Sequence, residues 1–323
     1  MACNQHEEVT TDKSFQQIIS TLPVNLDDGV CKYKGFWFPI RLMERILSLE
    51  ESFKCKETDV LICGFTKTGT TWLKSLCFAI STRTNFDAFT TPLRSYLCHD
   101  IIPFIEFQTN QEEKNPKKSP YQEQFPLFST HLPFCLLSES VKSSGCKIIY
   151  ICRDPKDTLV SLWHFVNRLG NDQTLDSVFK CFSEGNNGWG PYWEHVLEYW
   201  KASIEMPEKI LFLKYEDLKN DTVFYVRRIA EFIGKPFSNK EEEEGMAEKI
   251  AKFCRFESMS NLEVNKSKGP RPHGPFEVNN NAFFRKGIVG DWRNALTAEM
   301  IEKIDEITEK KMSVSGFKFG ASV

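Results

Sequence analysis

The stretch CGFTKTGTTWLKSL, residues 63–76, leaves an apolar run, passes two glycines with four threonines around Lys67, and enters a helix-forming segment. The spacing from Gly64 to Gly69 is that of the nucleotide-triphosphate loop G-x-x-x-x-G-K-[ST]. Here, however, Thr70 stands in the lysine's place and Lys67 lies inside the loop. Backbone N–H groups of such a turn, and of the helical turn that follows, point outward and favour an anion. The hydroxyls of Thr68, Thr70 and Thr71 add donors and Lys67 adds a positive charge. Read alone, the stretch is also compatible with a plain strand-to-helix turn.

Working outward, TDVLICGF, CKIIYICRDP and KILFLKYEDL read as buried strands, each followed by a helical pattern, and FPLFSTHLPF fits a further strand. Apolar strands alternating with helices predict an α/β fold, a single domain whose central parallel sheet is flanked by helices and binds ligands beyond the carboxyl ends of its strands. Residues 1–28 read as a flexible N-terminal lead with one short helix around FQQIISTLP, and 29–323 as the domain proper. Two Pro/Gly/Asn-rich stretches, 108–124 and 265–284, read as surface loops or lids. The acidic KEEEEG at 240–245 reads as the solvated start of a helix.

The chain has 323 residues, 41% of them hydrophobic, and a formal net charge of −3 with no broad basic face, which argues against a nucleic-acid partner. Eleven cysteines without metal-site spacing, and a polar N-terminus without an apolar signal core, favour reduced thiols in the cytoplasm and no metal. No apolar run approaches the roughly 18 residues of a membrane span.

Two more clusters carry chemistry. Arg153 leaves the second strand at its carboxyl end, and Ser161 follows about two helical turns later. A guanidinium fork and a hydroxyl suit a phosphate monoester, although Arg153 and Asp154 also fit a surface ion pair. Arg285, Lys286 and Gly287 in FFRKGIVGDW place two cations beside a permissive backbone, which also fits a solvated basic turn. His131 in STHLP has a side chain that titrates near neutrality, suited to general-base work, although a histidine after a strand is often packed in the core.

Taken in order, YKGFWFPIRLMERI, FTKTGTTWLK, PLFSTHLP, YICRDPKDTLVSLWHF, LFLKYEDL and FFRKGIVGDW resemble the plant cytosolic sulfotransferases, and flavonol sulfotransferases in particular, over nearly the whole chain. That resemblance implies transfer of a sulfuryl group from 3′-phosphoadenosine 5′-phosphosulfate (PAPS) to a hydroxyl of a small organic acceptor, a flavonoid or other phenolic. It implies that the 63–72 loop, with Lys67, Thr68, Gly69, Thr70 and Thr71, cradles the 5′-phosphosulfate. Lys67 would stabilise the leaving oxygen, where charge grows as the bond to sulfur breaks. Arg153, Ser161, Arg285, Lys286 and Gly287 would hold the 3′-phosphate, while Trp72, Phe256 and Tyr215 would hold the adenine. His131 would be the base, and Ser161 would have a second, catalytic role. Phe36, Trp37 and Phe104 would line the acceptor pocket, with core packing the competing role for each, as it is for Trp72 and Phe256.

Three departures from the family pattern stand out. Thr66 replaces the usual proline before the loop lysine; Ser129 stands two places before the base where animal members commonly carry lysine, as in plant members; and the dimer signature of animal members survives only as RNALTAEMIE. The last implies a monomer or weak homodimer. Two rival readings share parts of this pattern: a P-loop nucleoside kinase, which would want a lysine after Gly69, and a non-catalytic binder of the same fold.

Overall fold

The computed structural model describes residues 15–26, 29–108, 121, 123–267, 269, 271–273 and 276–321. Its centre is a four-stranded parallel sheet in the order β5-β4-β6-β7, formed by β4 (Val60–Cys63), β5 (Leu127–Thr130), β6 (Lys147–Cys152) and β7 (Ile210–Lys214). These are the four strands that the apolar runs predict. The chain leaves β4 to build β5 on one side and β6 on the other. The switch in direction therefore falls beside β4, where an open α/β sheet has its ligand crevice.

Both faces of the sheet are covered, because alternate residues of each strand enter different cores. Leu61, Cys63, Ile148, Tyr150 and Cys152 pack into one, with the longer helices α1 (Met43–Ser52), α4 (Leu175–Glu184), α5 (Tyr192–Glu205) and α8 (Ala298–Met312). Val60, Ile62, Ile149, Ile151, Leu211 and Leu213 enter the other, against α2 (Thr70–Thr82), α6 (Thr222–Phe232) and α7 (Met246–Phe253). The remaining long helix, α3 (Pro155–Arg168), starts just beyond β6. Its N-cap, Asp154, accepts from the backbone N–H of Lys156 at 2.8 Å, so this carboxylate caps a helix and is no surface ion-pair partner of Arg153.

A small antiparallel sheet of β1 (Val24–Asn25), β2 (Val30–Tyr33) and β3 (Phe36–Pro39) lies ahead of α1. Residues 15–21 are helical and Phe15 is buried in the first core, whereas residues 1–14 and 27–28 of the expected lead lie outside the described residues. The expected 108–124 loop falls almost wholly outside them too. The 265–284 segment is more ordered than its composition suggests. It forms a hairpin, β8 (Arg271–His273) with β9 (Phe276–Val278), and a 3₁₀ turn over Asn280–Phe283. The acidic run opens a short helix, Asn239–Glu243, with a reciprocal capping box between Ser238 and Glu241.

Candidate active site

The carboxyl ends of the parallel strands converge on one cavity of about 480 Å³. The turn after β4 shapes its floor. Lys67 and Gly69 both adopt left-handed backbone conformations, with φ of 69° and 110°. A Cβ at Gly69 would also lie 2.7 Å from the Tyr215 ring, so only glycine lets the turn pass that side chain. Thr68 faces inward and donates to the Phe65 carbonyl at 2.8 Å, closing the turn, while Thr70 and Thr71 open α2 and line the cavity. The Lys67 ammonium lies 4.0 Å from the centre of the Phe165 ring. Burial, together with the nearby guanidinium groups of Arg168, Arg153 and Arg285, pushes its pKa down to about 7.

Beyond β6, the buried Arg153 guanidinium donates to the Ile288 carbonyl at 2.7 Å and lies 3.5 Å from Asp157. Asp157 also accepts from the backbone N–H of Gly290 at 2.7 Å and of Trp292 at 3.2 Å, so one carboxylate fastens α3 to the turn that follows the 285–287 triplet. Arg285 and Lys286 both pair with Asp291. Although burial opposes it, hydrogen bonds from Lys286, Arg285 and Asn294 hold the Asp291 carboxyl well below the usual range. Gly287 has φ of 63°, and a Cβ there would lie 2.5 Å from Phe256 Cγ, so the phenyl ring lies directly on the glycine. Trp72 meets Tyr215 edge-on at 5.5 Å, and Arg153 lies 4.5 Å from that ring's centre. Lys67, Gly69, Thr70, Thr71, Trp72, Arg153, Ser161, Tyr215, Phe256, Arg285, Lys286 and Gly287 thus share one cavity wall; the Thr68 side chain lies behind it. Arg153 Nε, Trp72 Nε1 and Thr66 Oγ1 are buried there without a hydrogen-bond partner among the described residues.

His131 comes directly after β5. Its Nδ1 is 2.6 Å from the Gly64 carbonyl oxygen, which can only accept, so the ring proton sits on Nδ1 and Nε2 keeps a lone pair. Its backbone N–H donates to Glu106 at 2.7 Å, and Phe104 stacks on the ring at 4.2 Å. A second histidine braces it from below: His195 Nε2 donates to the His131 carbonyl at 2.9 Å while Nδ1 accepts from the Tyr150 hydroxyl at 2.9 Å. Burial pushes the His195 pKa down to about 4, which keeps that ring neutral.

The remaining wall is aromatic, with Phe104, Phe107, Trp189 and Phe276. Phe36 and Trp37 are not among the residues that line the cavity. Phe36 is buried against His195, and Trp37 points to the other face of β3, where Lys32 lies over its ring. The Trp37 backbone nevertheless matters. Its carbonyl accepts from Trp189 N–H at 2.6 Å and its N–H donates to the Gly190 carbonyl at 2.7 Å, holding Trp189 in the wall. Trp189, Asp157, Asp291, His99 and His164 are site residues that the sequence reading does not single out. The doublets around Asp157 and Asp291, RDPKD and GDW, carry the only signal for them.

Among the described residues no group of three or more His, Cys, Asp or Glu side chains is arranged to hold a metal ion, and no helix is long and apolar enough to cross a membrane.

Comparison with known proteins agrees with this fold. The sulfotransferase domain family matches residues 57–316. A Flaveria bidentis protein described as flavonol sulfotransferase-like is 46% identical over 312 residues, covering 94% of this chain and 99% of its own. Cytosolic sulfotransferase 17 of Arabidopsis thaliana is 43% identical over 318 residues, covering 94% and 90% respectively. A solved mouse sulfotransferase complexed with PAP superposes with a TM-score of 0.66 at 28% identity, over 88% of this chain and 94% of that one.

Proposed function

The chain belongs to the sulfotransferase family, and from that premise we propose how its cavity divides the work between donor and acceptor. The enzyme is a PAPS-dependent sulfotransferase acting on a small-molecule acceptor. The donor supplies an activated sulfuryl group. Its phosphates suit the cationic wall: the 5′-phosphosulfate lies along Lys67, Thr68, Gly69, Thr70 and Thr71, and the 3′-phosphate meets Arg153, Ser161, Arg285, Lys286 and Gly287. Trp72, Tyr215 and Phe256 hold the adenine. The buried, unpartnered Arg153 Nε and Trp72 Nε1, and the two glycines whose side-chain space is already filled by rings, support a pre-shaped site for such an anion.

The observation that carries the reading is the Nδ1–H bond from His131 to Gly64. It leaves Nε2 as an acceptor in the cavity that also holds Lys67, so His131 takes the acceptor's hydroxyl proton while Lys67 stabilises the oxygen that leaves sulfur. Ser161 holds Lys67 until the acceptor arrives. The acceptor is a planar phenolic of flavonol type. Phe104, Phe107 and Trp189 give it flat apolar walls, a relative is described as flavonol sulfotransferase-like, and a phenol gives up its proton more readily than an alcohol. We assign the protein to the cytosol, where a relative's name also places that relative, as one domain over 29–323 that is monomeric or weakly dimeric.

Release of 3′,5′-bisphosphoadenosine with a flavonol, a hydroxysteroid and a sugar, at one donor concentration, tests both halves of the reading. His131→Ala should lower turnover by roughly two to four orders of magnitude with donor affinity little changed. Wild-type donor binding without any turnover would favour the binder reading, and a sugar or steroid preference would overturn the flavonol assignment alone.

A further inference from the structure

Lys74 is fully buried one turn into α2, and its ammonium has a specific set of neighbours. It lies 2.9 Å from the Ile102 carbonyl oxygen, 3.0 Å from His99 Nδ1, and 3.2 Å from the centre of the Phe104 ring. His99 is buried as well, stacks on Phe104 at 5.3 Å, and has its other nitrogen, Nε2, 3.1 Å from Thr71 Oγ1. Thr71 and His99 both line the cavity, Thr71 on the phosphosulfate loop.

The chemistry of the three groups fixes the direction of the bonds. An ammonium has no lone pair and can only donate, so Nδ1 of His99 accepts. A neutral imidazole then carries its proton on Nε2, which donates to Thr71 Oγ1. A hydroxyl that accepts from inside the protein turns its own proton outward, toward whatever occupies the cavity. We propose that Lys74 and His99 are positioning residues that act through Thr71, aiming its hydroxyl proton at the anionic donor. This rests on the reading that the 63–71 loop holds the 5′-phosphosulfate. Neither residue touches the donor in this arrangement; each sets the donor or acceptor sense of the next. The alternative is a chain of packing contacts, in which His99 fills space beside Phe104 and the orientation of Thr71 is immaterial.

Burial pushes the Lys74 pKa down to about 7, against the nearby Cys98, Glu106 and Asp100, so the chain is best examined at pH 6, where the ammonium form prevails. The experiment is equilibrium titration of full-length protein with 3′,5′-bisphosphoadenosine at pH 6, as a double-mutant cycle on His99→Phe and Thr71→Val, with folding checked by circular dichroism. His99→Phe keeps a flat ring beside Phe104 and removes both nitrogens. It should weaken binding about tenfold, close to the lower end of what a hydrogen bond to a charged group contributes. In the Thr71→Val background the same change should cost less than about twofold, because the hydroxyl through which it acts is gone. His99→Gln, whose amide can accept from Lys74 and donate to Thr71, should bind within about threefold of wild type, and Lys74→Met should couple to Thr71→Val as His99→Phe does. Additive losses in both cycles, or equal losses in His99→Phe and His99→Gln, would overturn the relay while leaving the donor site standing. A wild-type protein that does not bind the bisphosphate would overturn the donor-site reading and the relay with it.

Discussion

Lys67 is held in a pocket that loosens its hold on the proton. Its pKa of about 7 follows from burial and three guanidinium groups, and on the proposed reading a bound phosphosulfate would supply a counter-charge and raise it. A group whose pKa is higher in the complex contributes affinity that is complete below the free-state value and is lost as pH rises from there through the value in the complex. Donor affinity should therefore fall as pH rises above about 7 in the wild type and stay nearly flat over the same range in Lys67→Met. Isothermal titration at several pH values checks this, and parallel profiles would refute it. Lys67 and His131, which both line the cavity, were legible as candidates because the loop and STHLP surround them with recognisable spacing. His99 and Lys74 were not, because a buried lysine next to a histidine acquires meaning only when residues 25 apart in sequence meet in space.

Helices and strands were the most legible level, since each apolar run of β4, β6 and β7 is long enough to be buried on both faces and is followed by a 3.6-residue pattern. The aromatic walls were less so. In β3 the period of two sends Phe36 and Phe38 inward and Trp37 outward, and none of these three lines the cavity. The 265–284 segment hides its buried residues the other way, in a three-pair hairpin and a single 3₁₀ turn, both too short for any period to emerge. The turn at 285–287 invites a direct test. Gly287→Ala places a methyl group in the Phe256 ring and forces a left-handed alanine, so donor Kd should rise at least tenfold. Gly234→Ala, left-handed at φ of 71° but with nothing within 4 Å, should cost only about 1 kcal/mol of stability and leave Kd alone. Equal Kd changes in the two variants would show that Phe256 has no part in holding the nucleotide.

Across the whole molecule, two buried carboxyl groups brace the chain where it leaves the sheet. Glu106 accepts from His131 N–H at 2.7 Å past β5, and Glu216 accepts from Asp154 N–H at 2.9 Å past β6; burial pushes both up to about 7. A carboxyl whose folded pKa lies above its ordinary 4.5 binds its proton more tightly in the native state, so the stability it contributes is largest below pH 4.5 and declines as pH rises to 7. Glu106→Gln, which keeps the acceptor oxygen and never ionises, should match the wild-type Tm at about pH 4 and exceed it at about pH 8. A lower Tm at pH 8 would mean that the ionised carboxylate itself stabilises the fold. The hold on Trp189 has a consequence of another kind. Both bonds from β3 to residues 189–190 run between backbone atoms, so neither depends on the Trp37 side chain. A change of the outward Trp37 side chain that keeps its backbone N–H leaves both bonds available, whereas Phe38 packs edge-on against the ring of Trp189 at 5.7 Å and shapes the cleft with it. On the proposed reading, the acceptor side of the cavity can therefore change shape at Trp189 while the wall of Lys67, Arg153 and Arg285, proposed to hold the nucleotide, is untouched.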